Sequence, residues 1–332
     1  MSVASIVVIG AGAWGTALAN SYSASGHSLT LWSMEADHIA QMRAERENRR
    51  YLPGIALHEG IALADDFDAA CGPADLAIIA TPVAGLRPTL QRIAASFPRL
   101  PVLWVCKGFE AGTGKLPHEV AAEYLHPDTG RGALTGPSFA QEVATGLPCA
   151  IALASTELGF AQLWAERLRH PRLRLYANDD IVGAEIGGAV KNVLAIAAGI
   201  SDGLEFGYNA RAALLTRGLA EMARLSAALG GRRETLMGLA GMGDLILTAT
   251  GDLSRNRRVG LALAQGKPLE RILEELGHVA EGVLTTETVV RRAAALGVDM
   301  PITHAVQEVL AGRLDPRDAV EQLMNREARA EI

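Results

Sequence analysis

One stretch constrains this chain more than any other: "SIVVIGAGAWGTALA", residues 5–19. An apolar run too short for a helix leads straight into Gly10, Gly12 and Gly15, and a helical pattern follows. That order calls for a strand, a tight turn and a helix packed back on the strand. Gly10 permits the turn, Gly12 lets the backbone approach a pyrophosphate, and Gly15 lets helix and strand touch. The phosphates would sit at the helix N-terminus. GxGxxG alone is a weak signal, but strand, loop, helix and second strand in this order predict a dinucleotide-binding unit.

Short apolar runs recur through the first half: "SLTLW" at 28–32, "DLAIIA" at 75–80, "PVLWVC" at 101–106, "CAIALA" at 149–154 and "RLRLYA" at 172–177. Continuous rather than alternating hydrophobicity marks strands covered on both faces, as in a parallel sheet. Helical patterns between them, such as "AGLRPTLQRIAASF", make the first half an α/β doubly wound sheet of the Rossmann type. Past residue 180 the strand-like runs stop. "NARAALLTRGLAEMARLSAALG" and "VLTTETVVRRAAALG" have helical period and end on Gly, and "DPRDAVEQLM" opens with Asp315 as N-cap and Pro316 in the first turn. Two domains are expected: a dinucleotide-binding Rossmann domain at 1–180 and an all-helical substrate-binding domain at 181–332.

Composition excludes several partners. Lys and Arg number 31 against 37 Asp and Glu, a net charge of −6, so the overall field attracts neither nucleic acid nor an anionic membrane, and an anionic ligand needs a local cationic cluster. The three cysteines are scattered and odd in number, which suits a reducing cytoplasm better than a disulfide framework or a zinc site. The eight histidines show no metal-ligand spacing, and no metal is expected. The N-terminus reads as a first strand rather than a signal peptide, and no uninterrupted apolar run approaches the roughly 20 residues of a membrane span. A soluble protein without stable membrane insertion is expected.

Lys191 is the next informative residue, a lone ammonium in "AEIGGAVKNVLAIAAGI". On a helix its neighbours are Gly187, Gly188, Leu194 and Ala195. Small apolar surroundings leave room for a ligand, and burial without a fixed anion readies an ammonium for proton exchange near neutral pH. The alternative is a lysine that snorkels to solvent or pairs with Glu185. In "GLAGMGDLILTATGDLSRNRRVG", Asp244 follows a Gly-rich turn, Arg255 offers a planar fork for a phosphate and Asn256 an amide donor, whereas Arg257 and Arg258 suit a charged helix face. Lys107 follows a buried strand at the sheet's carboxyl edge, where open α/β sheets bind ligands. Ser138 with Gln141 reads equally as a capping box, at a helix start whose amides could face an anion. The residue expected to meet a ribose 2′-hydroxyl falls in "LWSMEADH", where Glu35 comes two places late and reads equally as a solvated helix start.

Laid side by side, "GAGAWGTALA", "NRRYLPG", "CKGFE", "GPSFA", "EIGGAVKNVLAIAAGISDGL", "NARAALLTRGLAEMARL", "GLAGMGDL", "SRN" and "VAEGV" make the chain resemble the bacterial-type NAD(P)-dependent glycerol-3-phosphate dehydrogenases over nearly its full length. The resemblance implies cytoplasmic, reversible reduction of dihydroxyacetone phosphate to sn-glycerol 3-phosphate with NADPH or NADH, feeding phospholipid synthesis. It implies that Lys191 transfers the proton, with Asp244 as a second catalytic residue that orients either that lysine or a substrate hydroxyl, and that Lys107, Gly136, Ser138, Lys191, Asp244, Ser254, Arg255 and Asn256 contact substrate. Trp14, Lys107, Ala140, Arg255, Val279 and Glu281 match cofactor positions beside Gly10, Gly12 and Gly15. Ala13 and Met34 depart from the Ser and Arg often found there. Loss of the Arg weakens the case for NADPH, and Arg49 or Arg50 stands as a substitute cation.

Two rival readings share the nucleotide-binding half. A 3-hydroxyacid or ketopantoate type reductase would want a carboxylate site and does not require "SRN". A non-catalytic redox sensor needs neither Lys191 nor Lys107. The Ala-rich second half is compatible with packing against a second copy as a homodimer.

Overall fold

The computed structural model describes residues 3–276 and 280–326. The chain divides into two compact units, residues 1–110 with 115–185, and residues 111–114 with 186–332.

In the sheet unit, eight strands form one sheet among the described residues: β1 Ser5–Ile9, β2 Ser28–Trp32, β3 Ile61–Ala64, β4 Leu76–Ile79, β5 Val102–Trp104, β6 Arg131–Thr135, β7 Cys149–Ala154 and β8 Leu173–Asn178. Their order is β3-β2-β1-β4-β5-β6-β7-β8, so the chain reverses direction across the sheet between β1 and β4, where open α/β sheets bind ligands. The helices are α1 Ala13–Ala24, α2 Ala36–Glu45, α3 Phe67–Cys71, α4 Val83–Ser96, α5 Pro117–Tyr124, α6 Ala140–Ala144 and α7 Leu158–Leu168. Ile6, Val8, Leu31, Ile78, Leu103 and Leu153 belong to one large core, and the residues between them on β1 and β4, Val7, Ile9, Ala77 and Ile79, are buried as well, so both faces are covered, which explains the unbroken apolar runs.

The sheet is doubly wound as expected and parallel except at one pair, where β7 runs antiparallel to β6. Only the five-residue α6 lies between them, and it packs against α1. No helix crosses the sheet there, as a parallel connection would require. β3 and β6 escape the apolar-run pattern, since "IALA" is half exposed and "RGALT" begins with Arg131 and Gly132.

α8, Ile181–Gly203, begins in the sheet unit and continues into the helical one. By length and composition it resembles a membrane-crossing helix, yet residues 183–201 are all buried in the protein. The helical unit continues with α9 Gly207–Ala228, α10 Arg233–Leu236, a π turn Leu239–Gly243, α11 Asp244–Thr250, α12 Arg255–Ala264, α13 Leu269–Leu276, α14 Glu281–Ala295, α15 Pro301–Leu310 and α16 Pro316–Met324. The helix-stop glycines act as read from sequence. Gly230 and Gly297 have φ of 90° and 65°, and Val298 N donates to Ala293 O at 2.9 Å, closing the last turn of α14. Asp315 caps α16 by accepting from Arg317 N at 2.8 Å.

Candidate active site

The glycine-rich turn has the geometry of a phosphate cradle. A Cβ on Gly10 would lie 2.8 Å from the Ala80 carbonyl oxygen, at the end of β4, and one on Gly15 would lie 2.0 Å from the Gly10 oxygen. Packing alone demands both glycines. At Gly12 a Cβ would meet nothing within 4 Å, so the space beside that backbone is open at the start of α1, whose first turn carries no acidic residue. An open cradle at a helix N-terminus fits the pyrophosphate of a dinucleotide. Trp14 and Ala140 pack in one small cluster with Ala17, Leu52 and Val143.

Three sequence-predicted positions meet at the edge beyond β5 and β6. Lys107 Nζ donates to the Gly136 carbonyl oxygen at 3.3 Å, and Ser138 Oγ donates to the same oxygen at 3.0 Å. The capping-box reading of Ser138 with Gln141 is corrected: the N-cap position of α6 is Phe139, one residue on, and the Ser138 hydroxyl turns back to Gly136. At the end of β2, Met34 is exposed, and Glu35 occupies the N-cap position of α2, ion-paired with Arg50 at 2.5 Å.

In the helical unit Lys191 is buried, with 8% of its side chain exposed, which removes the snorkelling alternative. Its Nζ donates to Asp244 Oδ1 and, at 2.9 Å, to Thr248 Oγ1. The Thr248 hydroxyl in turn donates to the Asp244 carbonyl oxygen at 2.6 Å. Two expectations are corrected here. Lys191 has a fixed anion, and that anion is not Glu185.

Glycine brings Asp244 in. A Cβ on Gly187 would lie 2.1 Å from the Ala240 carbonyl oxygen, so α8 and the π turn touch backbone to backbone. Lys191 and Asp244 each stand four residues beyond that contact, one helical turn along. A carboxylate beside the ammonium offsets the cost of burying either charge.

Glu185 belongs to a different cluster, on the sheet unit's portion of α8. Oε1 accepts from Trp104 Nε1 at 2.8 Å and from His118 N at 3.0 Å, and Oε2 meets His118 Nδ1 at 2.5 Å. Burial pushes its carboxyl above the usual carboxylate range, against the opposing pull of His118.

The "SRN" segment opens α12. Ser254 is its N-cap, accepting from Arg257 N at 3.2 Å, and Arg255 is exposed in the first helical position. Asn256 is buried: its Nδ2 donates to Asn192 Oδ1 at 3.0 Å, and its Oδ1 accepts from Gly282 N at 3.1 Å. Asn192 Nδ2 reaches Glu281 Oε2 at 3.5 Å. Asn256 and Glu281 are thus linked to the residue that follows Lys191. Arg257 is held by Asp202 at 2.8 Å and Asp252 at 3.0 Å, the structural role read for it. Val279 lies outside the described residues.

Sequence reasoning missed Thr248 and Asn192. Thr248 stands one turn after Asp244 on α11, so helical spacing from the acid would have found it. Asn192 carries no signal beyond its neighbour.

Known proteins bear on the same segments. Residues 5–161 match the family of the NAD-dependent glycerol-3-phosphate dehydrogenase N-terminus, and residues 180–321 match that of its C-terminus. The chain is 62% identical over 327 residues to a glycerol-3-phosphate dehydrogenase [NAD(P)+] of Dechloromonas aromatica, covering 98% of this chain and 99% of that one. A protein of the same name from Aromatoleum aromaticum is likewise 62% identical over 327 residues, with the same coverage. The crystal structure of glycerol-3-phosphate dehydrogenase from Coxiella burnetii is 42% identical, with a TM-score of 0.92 over 98% of this chain and 99% of that one. With both halves matched and the identity spread along the whole length, the chain belongs to the NAD-dependent glycerol-3-phosphate dehydrogenase family.

Proposed function

We propose that the chain is an oxidoreductase that reduces dihydroxyacetone phosphate to sn-glycerol 3-phosphate, reversibly, with NADH or NADPH. The buried Lys191, held on α8 by Asp244 and Thr248, is the observation that carries the reading. A bound reduced nicotinamide supplies the hydride.

The chain's own residues do the rest. Gly10, Gly12 and Gly15 shape the cradle for the pyrophosphate, with Trp14, Lys107, Ala140, Arg255 and Glu281 as further cofactor contacts. As charge develops on the carbonyl oxygen, Lys191 stabilises it and donates a proton from Nζ. In the reverse direction the same nitrogen takes the proton back from the hydroxyl. Asp244 and Thr248 fix the ammonium's direction, so little reorganisation accompanies the transfer. Arg255 and the amides at the start of α12 hold the phosphate, and its binding energy orients the reacting carbon. Lys107, Gly136, Ser138 and Ser254 complete the substrate contacts. Asn256 braces Asn192 and Gly282 and so holds the backbone beside Lys191.

The product is a backbone precursor for glycerophospholipids. A cytoplasmic location and assembly with a second copy through the helical unit belong to the same reading, the latter checked by sedimentation. The decisive assay follows nucleotide absorbance at 340 nm with dihydroxyacetone phosphate, ketopantoate and no substrate in turn. Oxidation of NADH or NADPH with dihydroxyacetone phosphate alone supports the proposal. Turnover with ketopantoate instead, or with neither, overturns it.

A further inference from the structure

A buried amide stands behind the glycine-rich turn. Asn48, in the loop after α2, is fully buried. Its Nδ2 donates to the Ala11 carbonyl oxygen at 2.8 Å and to Thr16 Oγ1 at 2.7 Å. A carbonyl oxygen can only accept, so the nitrogen must face Ala11, and the amide can lie only one way round. Its Oδ1 accepts from Tyr51 N at 3.2 Å and meets His38 Nε2 at 3.0 Å, so that imidazole nitrogen carries its hydrogen. Two donations and two acceptances exhaust what one amide side chain can make.

Ala11 lies between Gly10 and Gly12. The Ala11–Gly12 peptide is a rigid trans plane, with its C=O and N–H pointing in opposite directions. Holding the Ala11 oxygen against Asn48 therefore turns the Gly12 N–H away from Asn48, at the N-cap of α1. No acceptor among the described residues takes that N–H, and a Cβ on Gly12 would meet nothing within 4 Å.

We infer that Asn48 is a positioning residue for the coenzyme: its amide sets the angle of the Ala11–Gly12 peptide and so aims the Gly12 N–H, before binding, at a pyrophosphate oxygen. The inference rests on the dehydrogenase reading. Glycines on either side leave this peptide unusually free to rotate, and a hydrogen bond to a charged oxygen is strong only when it is aimed. Asn48 suppresses the rotation. A carboxylate of the same shape cannot, because it has no donor and repels the Ala11 oxygen.

The test titrates the full-length protein with NADH or NADPH, whichever the parent holds more tightly, following nucleotide fluorescence without substrate. Asn48→Asp and Asn48→Ala should each raise the coenzyme Kd about tenfold to a hundredfold, with kcat at saturating coenzyme and KM for dihydroxyacetone phosphate within about threefold of the parent's. Thr16→Val removes the other acceptor of Nδ2 and leaves the Ala11 bond. It should lower the urea midpoint while keeping the coenzyme Kd within about threefold. Either Asn48 variant, folded and with its Kd within about threefold of the parent's, overturns the inference. An equal loss of affinity in Thr16→Val overturns it as well, since the network then only supports the fold. If neither Asn48 variant folds, the parent decides: with alanine carbonyls and glycine nitrogens isotope-labelled, the Gly12 amide resonance should move when coenzyme is added, and a Gly12 resonance that stays still while others move overturns the inference. These failures leave coenzyme binding in place and remove this inference alone; a parent that binds neither nucleotide removes the dehydrogenase reading too.

Discussion

Helix α8 buries two ionisable side chains six residues apart, and their surroundings differ in kind. Glu185, on the sheet unit's portion, is met by an indole N–H, a backbone N–H and an imidazole nitrogen, all from residues that build the sheet unit. Lys191, on the helical unit's portion, is met by a carboxylate and a hydroxyl from α11, placed by a π turn and a glycine contact. The first cluster ties β5 and α5 to the start of α8. The second presents a proton-bearing nitrogen whose direction is set by partners one turn apart. Burial of a charge does not by itself mark a catalytic group; the chemistry of its partners separates the two.

Breaking the second cluster should have the largest effect. Lys191→Ala is expected to lower kcat by about 10³–10⁴-fold while leaving NADH binding intact, as removal of a general acid does. It also leaves Asp244 buried without its ammonium, at a cost of about 3–5 kcal/mol. The double variant Lys191→Met with Asp244→Leu should recover most of that stability in urea unfolding and none of the turnover. Recovered turnover would erase the distinction between the clusters.

Glu185→Ala should show the opposite profile, losing about 2–4 kcal/mol because the Trp104 and His118 donors lose their acceptor, with kcat changed far less than in Lys191→Ala. Equal losses of kcat in the two variants would contradict the comparison.

Gly187→Ala sharpens it further, since a methyl 2.1 Å from the Ala240 oxygen must push the π turn and Asp244 away. Overpacking of this kind costs about 1–3 kcal/mol, with kcat falling about tenfold or more.

The smallest effects are those of pH on stability, and they carry opposite signs. The Glu185 carboxyl is raised by burial, so the folded protein holds its proton more tightly than the unfolded chain. Its contribution is full below the model-peptide value of 4.5 and fades as pH rises toward the folded value. Glu123 is lowered to about 2, first by its hydrogen bond from Arg87 and then by that from Lys115. Its contribution is present above 4.5 and lost as pH falls toward 2. Urea midpoints measured from pH 3 to 7 should therefore shift upward at the high end for Glu185→Gln relative to the parent. For Glu123→Gln the loss relative to the parent should be full above about 4.5 and shrink steadily as pH falls toward 2.

Much of the site is legible in the sequence. Gly10 and Gly15 are demanded by steric contacts with Ala80 and with each other, which is why their spacing carries the prediction. Lys191 stood out because a lone cation in an apolar helix needs a reason. The rest was hidden because it depends on contacts distant in sequence. Asp244 lies 53 residues from its lysine, so local pattern could not pair them; only the family resemblance links the two, and it leaves open whether the acid orients the lysine or a substrate hydroxyl. The capping-box reading of Ser138 failed because two residues in the right spacing do not decide where a helix starts; α6 begins one residue late and the hydroxyl finds a nearer carbonyl. β7 was recognised as a strand, but its antiparallel direction was not, because direction depends on what fills the connection.

The order of residues alone determined the glycine turn, the change from sheet to helices near residue 180, the helix stops and the presence of a buried amine, since all of these follow from local sterics and periodicity. Tertiary structure decided which acid meets that amine, that Glu185 serves a separate cluster, and that Arg50 rather than Arg49 reaches Glu35. Those outcomes depend on where backbones separated by tens of residues touch, and no local rule specifies that distance.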